Sequence, residues 1–150
     1  MFLDKEVFAS IVHNTPLISI DLIVENSKGQ ILLGKRINEP AKDFWFVPGG
    51  RIFKDETLDA AFERTTKEEI GLDIKREDAT FIDVYEHFYN NNVFDNQFST
   101  HYVVLAHKIT TDEELVLNEQ HEKYEWFDKK RLLESVDVHK YTKDYFKGNR

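Results

Sequence analysis

Cysteine is absent from the 150 residues. Disulfides, thiolate-bound zinc, iron–sulfur clusters and thiol catalysis are therefore excluded. Basic charge is scarce, with 20 Lys and Arg set against 28 Asp and Glu for a formal net charge of −8. General nucleic-acid binding needs a basic stripe that this balance does not supply. No apolar run approaches the ~18 residues of a membrane span. The acidic start MFLDKEVFAS lacks the basic-then-apolar order of a signal peptide. A cytoplasmic location is expected. Proline is limited to three residues and glycine to six. With no linker, repeat or low-complexity tract, residues 1–150 read as a single domain.

What is present suits a folded chain. Apolar residues make up 41% and aromatic residues 13%, with twelve Phe, six Tyr and two Trp. At this length, folding buries roughly 70% of the unfolded surface. An acidic balance still admits a phosphorylated small molecule, held by a few local arginines and by a metal bound to some of the carboxylates.

Periodicity predicts a helix from an Asp4 cap to about His13, with Val7, Phe8, Ile11 and Val12 as its apolar face. LISIDLIVEN from Leu17 alternates as a strand, with Ile18, Ile20, Leu22 and Val24 on one side and Ser19 and Asp21 on the other. A turn at Asn26–Gly29 and the strand QILLGKR complete a hairpin. WFVPGG reads as a strand ended by its Pro and paired Gly. A helix starting at Asp55 or Lys54 runs from about Glu56 to Ile70, with Gly71 as its C′ residue. FIDVYEHFY, FSTHYVVLAHKI and YEWFD read as further strands, Asp128 caps a helix, and the last dozen residues form another. Strands mixed with three or four helices give an α/β or α+β sandwich.

The chemistry concentrates in GGRIFKDETLDAAFERTTKEEIGL, from Gly49 to Leu72. Glycines let a ligand approach the backbone, and the helix then presents Glu56, Glu63, Arg64, Glu68 and Glu69. Glu68 follows Arg64 by four residues and shares its face. Such oxygen ligands suit Mg²⁺ or Mn²⁺ bound together with phosphates. A salt-bridged, solvated helix is the plain alternative.

The spacing resembles the Nudix box, Gly-x5-Glu-x7-Arg-Glu-U-x-Glu-Glu-x-Gly-U with U a bulky aliphatic residue. Gly50, Glu56, Arg64, Glu68, Glu69, Gly71 and Leu72 fall in register. Thr65 stands where the box has Glu, and Thr66 where it has an aliphatic residue. The box Glu helps build the metal cluster that activates water for attack on phosphorus. A Thr offers only a neutral hydroxyl there.

Beyond the box, TPLISIDLIVEN, LLGKR, FWFVPGGR, KDETL, AAFER, EHFY, THYVVL, EQH and YEW resemble the GDP-mannose mannosyl hydrolase branch of the Nudix superfamily, which also lacks this Glu. The resemblance implies a Nudix α/β/α sandwich with a mixed β-sheet, a homodimer and one Mg²⁺, with Mn²⁺ as a possible substitute. It implies hydrolysis of GDP-mannose or GDP-glucose by water attack at the anomeric carbon with inversion. Carried over position by position, Gly49, Glu69 and Gln120 would ligate the metal. His121, read as lying in a polar loop, would be the general base, its pKa near working pH. Arg36 and Arg51 would bind the diphosphate and stabilise its departure. Asp21, His87 and Tyr102 would contact sugar or phosphate. Glu68 stays open between the metal's surroundings and the surface, and Phe44, Trp45 and Phe46 are read as core rather than a base platform. Two other readings remain: ordinary Nudix cleavage of a diphosphate bond, and a non-catalytic nucleotide-binding module.

Overall fold

The hydrophobic alternation of Leu17–Glu25 builds the central strand. A computed structural model of the chain describes residues 2–95, 97–117 and 121–148, with the backbone alone for His121 and Glu122. In it, β1 (Leu17–Glu25) is buried on both faces. Ile20, Leu22 and Val24 enter one core and Ile23 the other. Before it lies α1 (Lys5–Asn14), where Asp4 occupies the N-cap position without a side-chain capping bond. Val12 is buried there, whereas Val7 is half exposed.

β2 (Ile31–Arg36) returns antiparallel after the turn, meeting β1 at the Glu25–Ile31 pair. The WFVPGG segment is not one strand. β3 (Trp45–Phe46) pairs with β2, and β4 (Gly49–Arg51) pairs antiparallel with β1. Pro48 lacks an N–H and its carbonyl accepts from Leu22 N–H at 2.8 Å, so the chain changes partners there. α2 (Leu58–Ile70) follows, then β5 (Thr80–Tyr89), β6 (Thr100–Thr110), β7 (His121–Phe127), α3 (Lys129–Glu134) and α4 (Lys140–Asp144). β6 runs parallel to β1 along its whole length and antiparallel to β5, and β7 lies antiparallel to β2. The seven-stranded sheet is therefore mixed.

Two apolar layers hold helices on its two sides. Ala61, Phe62 and Ile70 of α2 pack with Ile20, Leu22, Val24 and Leu32. Leu132 of α3 and Val138 pack with Ile23, Leu33, Trp45, Tyr85 and Phe127, and Tyr145 and Phe146 lean on the same layer. Phe62 is fully buried, and truncating such a ring to Ala costs about 3–5 kcal/mol.

α2 starts later than its acidic residues suggest. Thr57 is the N-cap, its hydroxyl accepting from Ala60 N–H at 3.1 Å, while Asp55 sits at φ +70° in the preceding loop. At the far end Gly71 takes φ 74°, the left-handed conformation expected of a C′ glycine. Asp128 caps α3 as expected, accepting from Arg131 N–H at 2.7 Å.

Candidate active site

The loop from Arg51 to Glu56 is locked to α2 by one guanidinium. Arg64 donates from Nε and Nη2 to the two oxygens of Glu56 at 2.7 and 2.9 Å, and from Nη2 to the Arg51 carbonyl at 2.8 Å. Its Nη1 donates to Glu68 at 3.1 Å, and its Cζ lies 3.7 Å from the Phe53 ring centroid. Glu56 also accepts from Phe53 N–H at 2.7 Å. The guanidinium beside it holds the Glu56 carboxyl below its ordinary range. Ion pairs thus join Glu56, in the loop before α2, to Arg64, and Arg64 to Glu68 on the helix.

Glu69 differs from them. It is buried on α2, and its Oε1 accepts from Gly49 N–H at 3.3 Å. Burial pushes its carboxyl up to about 7, opposed by that N–H and reinforced by the charges of Glu68 and Asp21. Thr65, one turn earlier, is 1% exposed, and its hydroxyl has no hydrogen-bond partner among the described residues. A Cβ at Gly50 would lie 3.6 Å from that hydroxyl. One carboxylate and one neutral hydroxyl therefore face the glycine strand.

Gly49 is held between two carboxylates. Its N–H turns to Glu69, and a Cβ there would lie 2.5 Å from Asp21 Oδ1 and 2.6 Å from the Ile20 carbonyl. No other residue fits this approach. Asp21, opposite Gly49 in the β1–β4 ladder, is partly buried, and loss of water raises its carboxyl to about 6 against the pull of a Tyr145 hydrogen bond and Arg36. Arg36 ends β2, just past a bulge, with Nε donating to the Pro40 carbonyl at 2.9 Å.

β5 and β6 form the other wall. His87 and Tyr102 are paired across it. Burial pushes the Tyr102 phenol up, and the nearby guanidiniums of Arg36 and Arg51 pull it back. Burial lowers the buried His87 imidazole to about 4, so it is neutral at neutral pH. Arg51 lies 4.9 Å from the ring centroids of both Phe8 and Phe53. The structure thus brings Asp21, Arg36, Gly49, Arg51, Glu69, His87 and Tyr102 into one neighbourhood.

His121 is not in a loop. It begins β7, with its Cα opposite Arg36 in the β2–β7 register. Gln120 lies outside the described residues. Trp45 and Phe46 are core, and Phe44 is exposed. Four site residues escaped the sequence reading: Tyr89, whose phenol burial pushes up beside Asp21 and Arg36, and His139, Tyr141 and Tyr145 from the end of the chain. The spacing of Tyr141 and Tyr145 by four residues was their only sequence signal.

The residues fit a hard cation. Glu69 and the Gly49 backbone offer oxygen, and a buried carboxyl with a single N–H donor is stabilised as an anion by a positive ion. Among the described residues, no three His, Cys, Asp or Glu side chains cluster to hold a metal.

The sequence pattern of the NUDIX domain matches residues 15–146. The chain belongs to the Nudix family, whose hydrolases work with divalent cations. It is 41% identical over 120 residues to the "Low-salt glycan biosynthesis protein Agl8" of Haloferax volcanii, covering 79% of this chain and 75% of that protein. An "RNA pyrophosphohydrolase" of Pseudomonas fluorescens is 39% identical over 64 residues, 43% of this chain and 37% of the relative. Among solved structures, a MutT NUDIX hydrolase from Burkholderia pseudomallei superposes with TM-score 0.70 at 25% identity, covering 88% of this chain and 96% of that one. A MutT protein from Methanosarcina mazei gives TM-score 0.67 at 21% identity, over 89% and 92% of the two chains. No helix among the described residues is long and apolar enough to cross a membrane.

Proposed function

We propose that the protein hydrolyses GDP-hexoses, GDP-mannose or GDP-glucose, to GDP and free hexose by water attack at the anomeric carbon, working as a cytoplasmic homodimer. The observation that carries this reading is the arrangement on α2. Glu56 is bound to Arg64, which also holds Glu68, Thr65 is a neutral hydroxyl, and Glu69 is the buried acid of α2, bonded to Gly49. Water activation by a carboxylate-rich metal cluster is then disfavoured, and a side-chain base takes its place. The Haloferax relative is named for glycan biosynthesis, which agrees with a sugar-bearing substrate.

In this mechanism Gly49, Glu69 and Gln120 would hold Mg²⁺, which would supply positive charge to neutralise the diphosphate. Asp21 accepts a hydroxyl of the hexose, while His87, neutral through burial, and Tyr102 offer uncharged polar contacts. Arg36 and Arg51 bind the diphosphate oxygens and stabilise the negative charge that builds as GDP leaves. His121 takes the proton from water as its oxygen bonds to the anomeric carbon and the carbon–oxygen bond to the β-phosphate breaks. The products are GDP and a hexose of inverted configuration.

The second reading is cleavage at phosphorus, favoured by the identity to RNA pyrophosphohydrolases over the shorter segment. Incubation with GDP-mannose and Mg²⁺ in ¹⁸O-water separates them. Label in the hexose, released from an α-linked substrate as the β anomer, is the expected result. Label in a nucleotide phosphate would establish the second reading instead.

A further inference from the structure

Residues 137–145 bring further side chains to Asp21 and His87. Trp45 N–H donates to the Asp137 carbonyl at 2.8 Å, and His139 N–H donates to the Trp45 carbonyl at 3.2 Å. Docked in this way, α4 and the residue after it lay two phenols against the wall. The Tyr141 phenol donates to the Phe88 carbonyl at 2.9 Å and accepts from Phe88 N–H at 3.0 Å. Its ring stacks on His87 at 4.3 Å and 5°. Tyr145 donates its phenol proton to Asp21 Oδ2, and its oxygen lies 3.5 Å from His87 Nε2. The two tyrosines have different tasks: Tyr141 pins α4 to the β5 backbone, whereas Tyr145 reaches a carboxyl of the site.

Asp21 has two oxygens in different surroundings. Oδ2 takes the Tyr145 proton. Oδ1 stands close over Gly49, where a side chain would collide with it, and the residue as a whole is only partly buried. Arg36 is near enough to favour the charged carboxylate, yet it forms no ion pair with it and bonds Pro40 instead. A carboxyl free to turn toward Arg36 would neutralise that guanidinium and lose its own aim together.

Resting on the hexosyl hydrolysis proposed above, we infer that Tyr145 is a positioning residue of the hexose subsite: its phenol occupies one oxygen of Asp21, holds the carboxyl away from Arg36, and leaves the other oxygen directed at a sugar hydroxyl. His87, held by its stack on Tyr141, limits where the phenol can sit. Tyr145 touches no reacting atom, and it acts through Asp21.

A double-mutant cycle on the full chain tests this, with hexose release from GDP-mannose in Mg²⁺ as the readout. Tyr145→Phe alone should lower kcat/KM about 10- to 100-fold, the range for losing one hydrogen bond to a charged group. In the Asp21→Asn background the same change should cost less than about twofold, because its route is already gone. Tyr141→Phe is the control: it should lower the melting temperature and multiply independently with Asp21→Asn. GDP, which carries no hexose, should bind Tyr145→Phe as tightly as it binds the wild type. Independent multiplication of Tyr145→Phe and Asp21→Asn, an unchanged kcat/KM in Tyr145→Phe, or a weakened hold on GDP in that variant would overturn the inference. Failure of the wild type to release hexose would overturn the reaction itself before any variant is compared, and the inference with it.

Discussion

Glu69 should make the metal-free protein less stable as pH rises, and Glu69→Gln should remove that loss. The carboxyl ionises near 4.5 in the unfolded chain and near 7 in the folded one. Between those values the folded state binds more protons than the unfolded state, so stability falls as pH rises. The cost is nearly absent below pH 4.5, grows through the window, and levels off above pH 7. At 1.36 kcal/mol per unit, a shift from 4.5 to about 7 amounts to about 3 kcal/mol at pH 8 and about 1 kcal/mol at pH 5. Gln is nearly isosteric and its amide oxygen can still accept from Gly49 N–H. With chelator present, Glu69→Gln should therefore be stabilised relative to wild type by about 2 kcal/mol more at pH 8 than at pH 5. For a chain of this length that difference corresponds to about 4–8 °C in melting temperature.

Urea unfolding at both pH values gives the free energies directly, and a magnesium titration adds the functional arm. At about a hundred times its dissociation constant, Mg²⁺ should stabilise the wild type by about 2.7 kcal/mol and leave Glu69→Gln nearly unchanged. An equal effect of the substitution at both pH values would refute the account of Glu69 as a buried charge awaiting a cation. An equal response of both proteins to Mg²⁺ would take Glu69 out of the metal site.

Three other substitutions probe neighbouring parts of the argument. His121→Ala should lower kcat by about 10²- to 10⁴-fold with a much smaller change in KM, and should lose the acidic limb of the pH–rate profile; near-normal kcat would assign the base elsewhere. Gly49→Ala places a Cβ 2.5 Å from Asp21 Oδ1 and 2.6 Å from the Ile20 carbonyl, so it should destabilise by about 1–3 kcal/mol and depress turnover; an unperturbed melting curve would show that the strand separation is not tight. Thr65→Glu puts a second carboxylate into a fully buried position one turn from Glu69, so it should lower the melting temperature in chelator and recover part of the loss in Mg²⁺; a loss indifferent to Mg²⁺ would place that side chain away from the ion.

The parts of the fold that were legible in the sequence are those written by local rules. β1 alternates because its residues serve two cores, Gly71 stops α2 because its backbone needs positive φ, and Asp128 caps α3 because its side chain meets an N–H three residues on. Local rules also produced the errors. Asp55 is the acid that a capping rule selects, but it belongs to a loop whose shape is set by Arg64, eight residues beyond Glu56. WFVPGG was legible as extended chain, yet nothing within six residues tells that β3 belongs to β2 and β4 to β1. His121 was placed beside a metal ligand by sequence adjacency, whereas its strand setting follows from pairing with Arg36, 85 positions earlier by its numbering.

The site divides along the same line, and its electrostatics explain why. Asp21 and Glu69 each carry a raised carboxyl pKa and face each other's charge across a glycine. Alternation and box spacing identified both acids, but neither reports that folding takes water from them while Arg36, bonded to Pro40, favours their charge only from nearby. That follows from the packing of β1, β4 and α2 together. The same packing would leave the Asp21 carboxyl free to turn toward Arg36, and the phenol that prevents this comes from Tyr145, 124 residues away. A sequence pattern can mark which acids matter. Their unequal fates arise from distant contacts: Glu56 is neutralised by Arg64, Glu25 by Lys108 and Lys129, Asp21 is tethered by a neutral donor, and Glu69 is left with one N–H. The first two hold the fold together. The last two retain unbalanced charge next to one glycine, the condition under which a cation and a polar substrate gain most by binding.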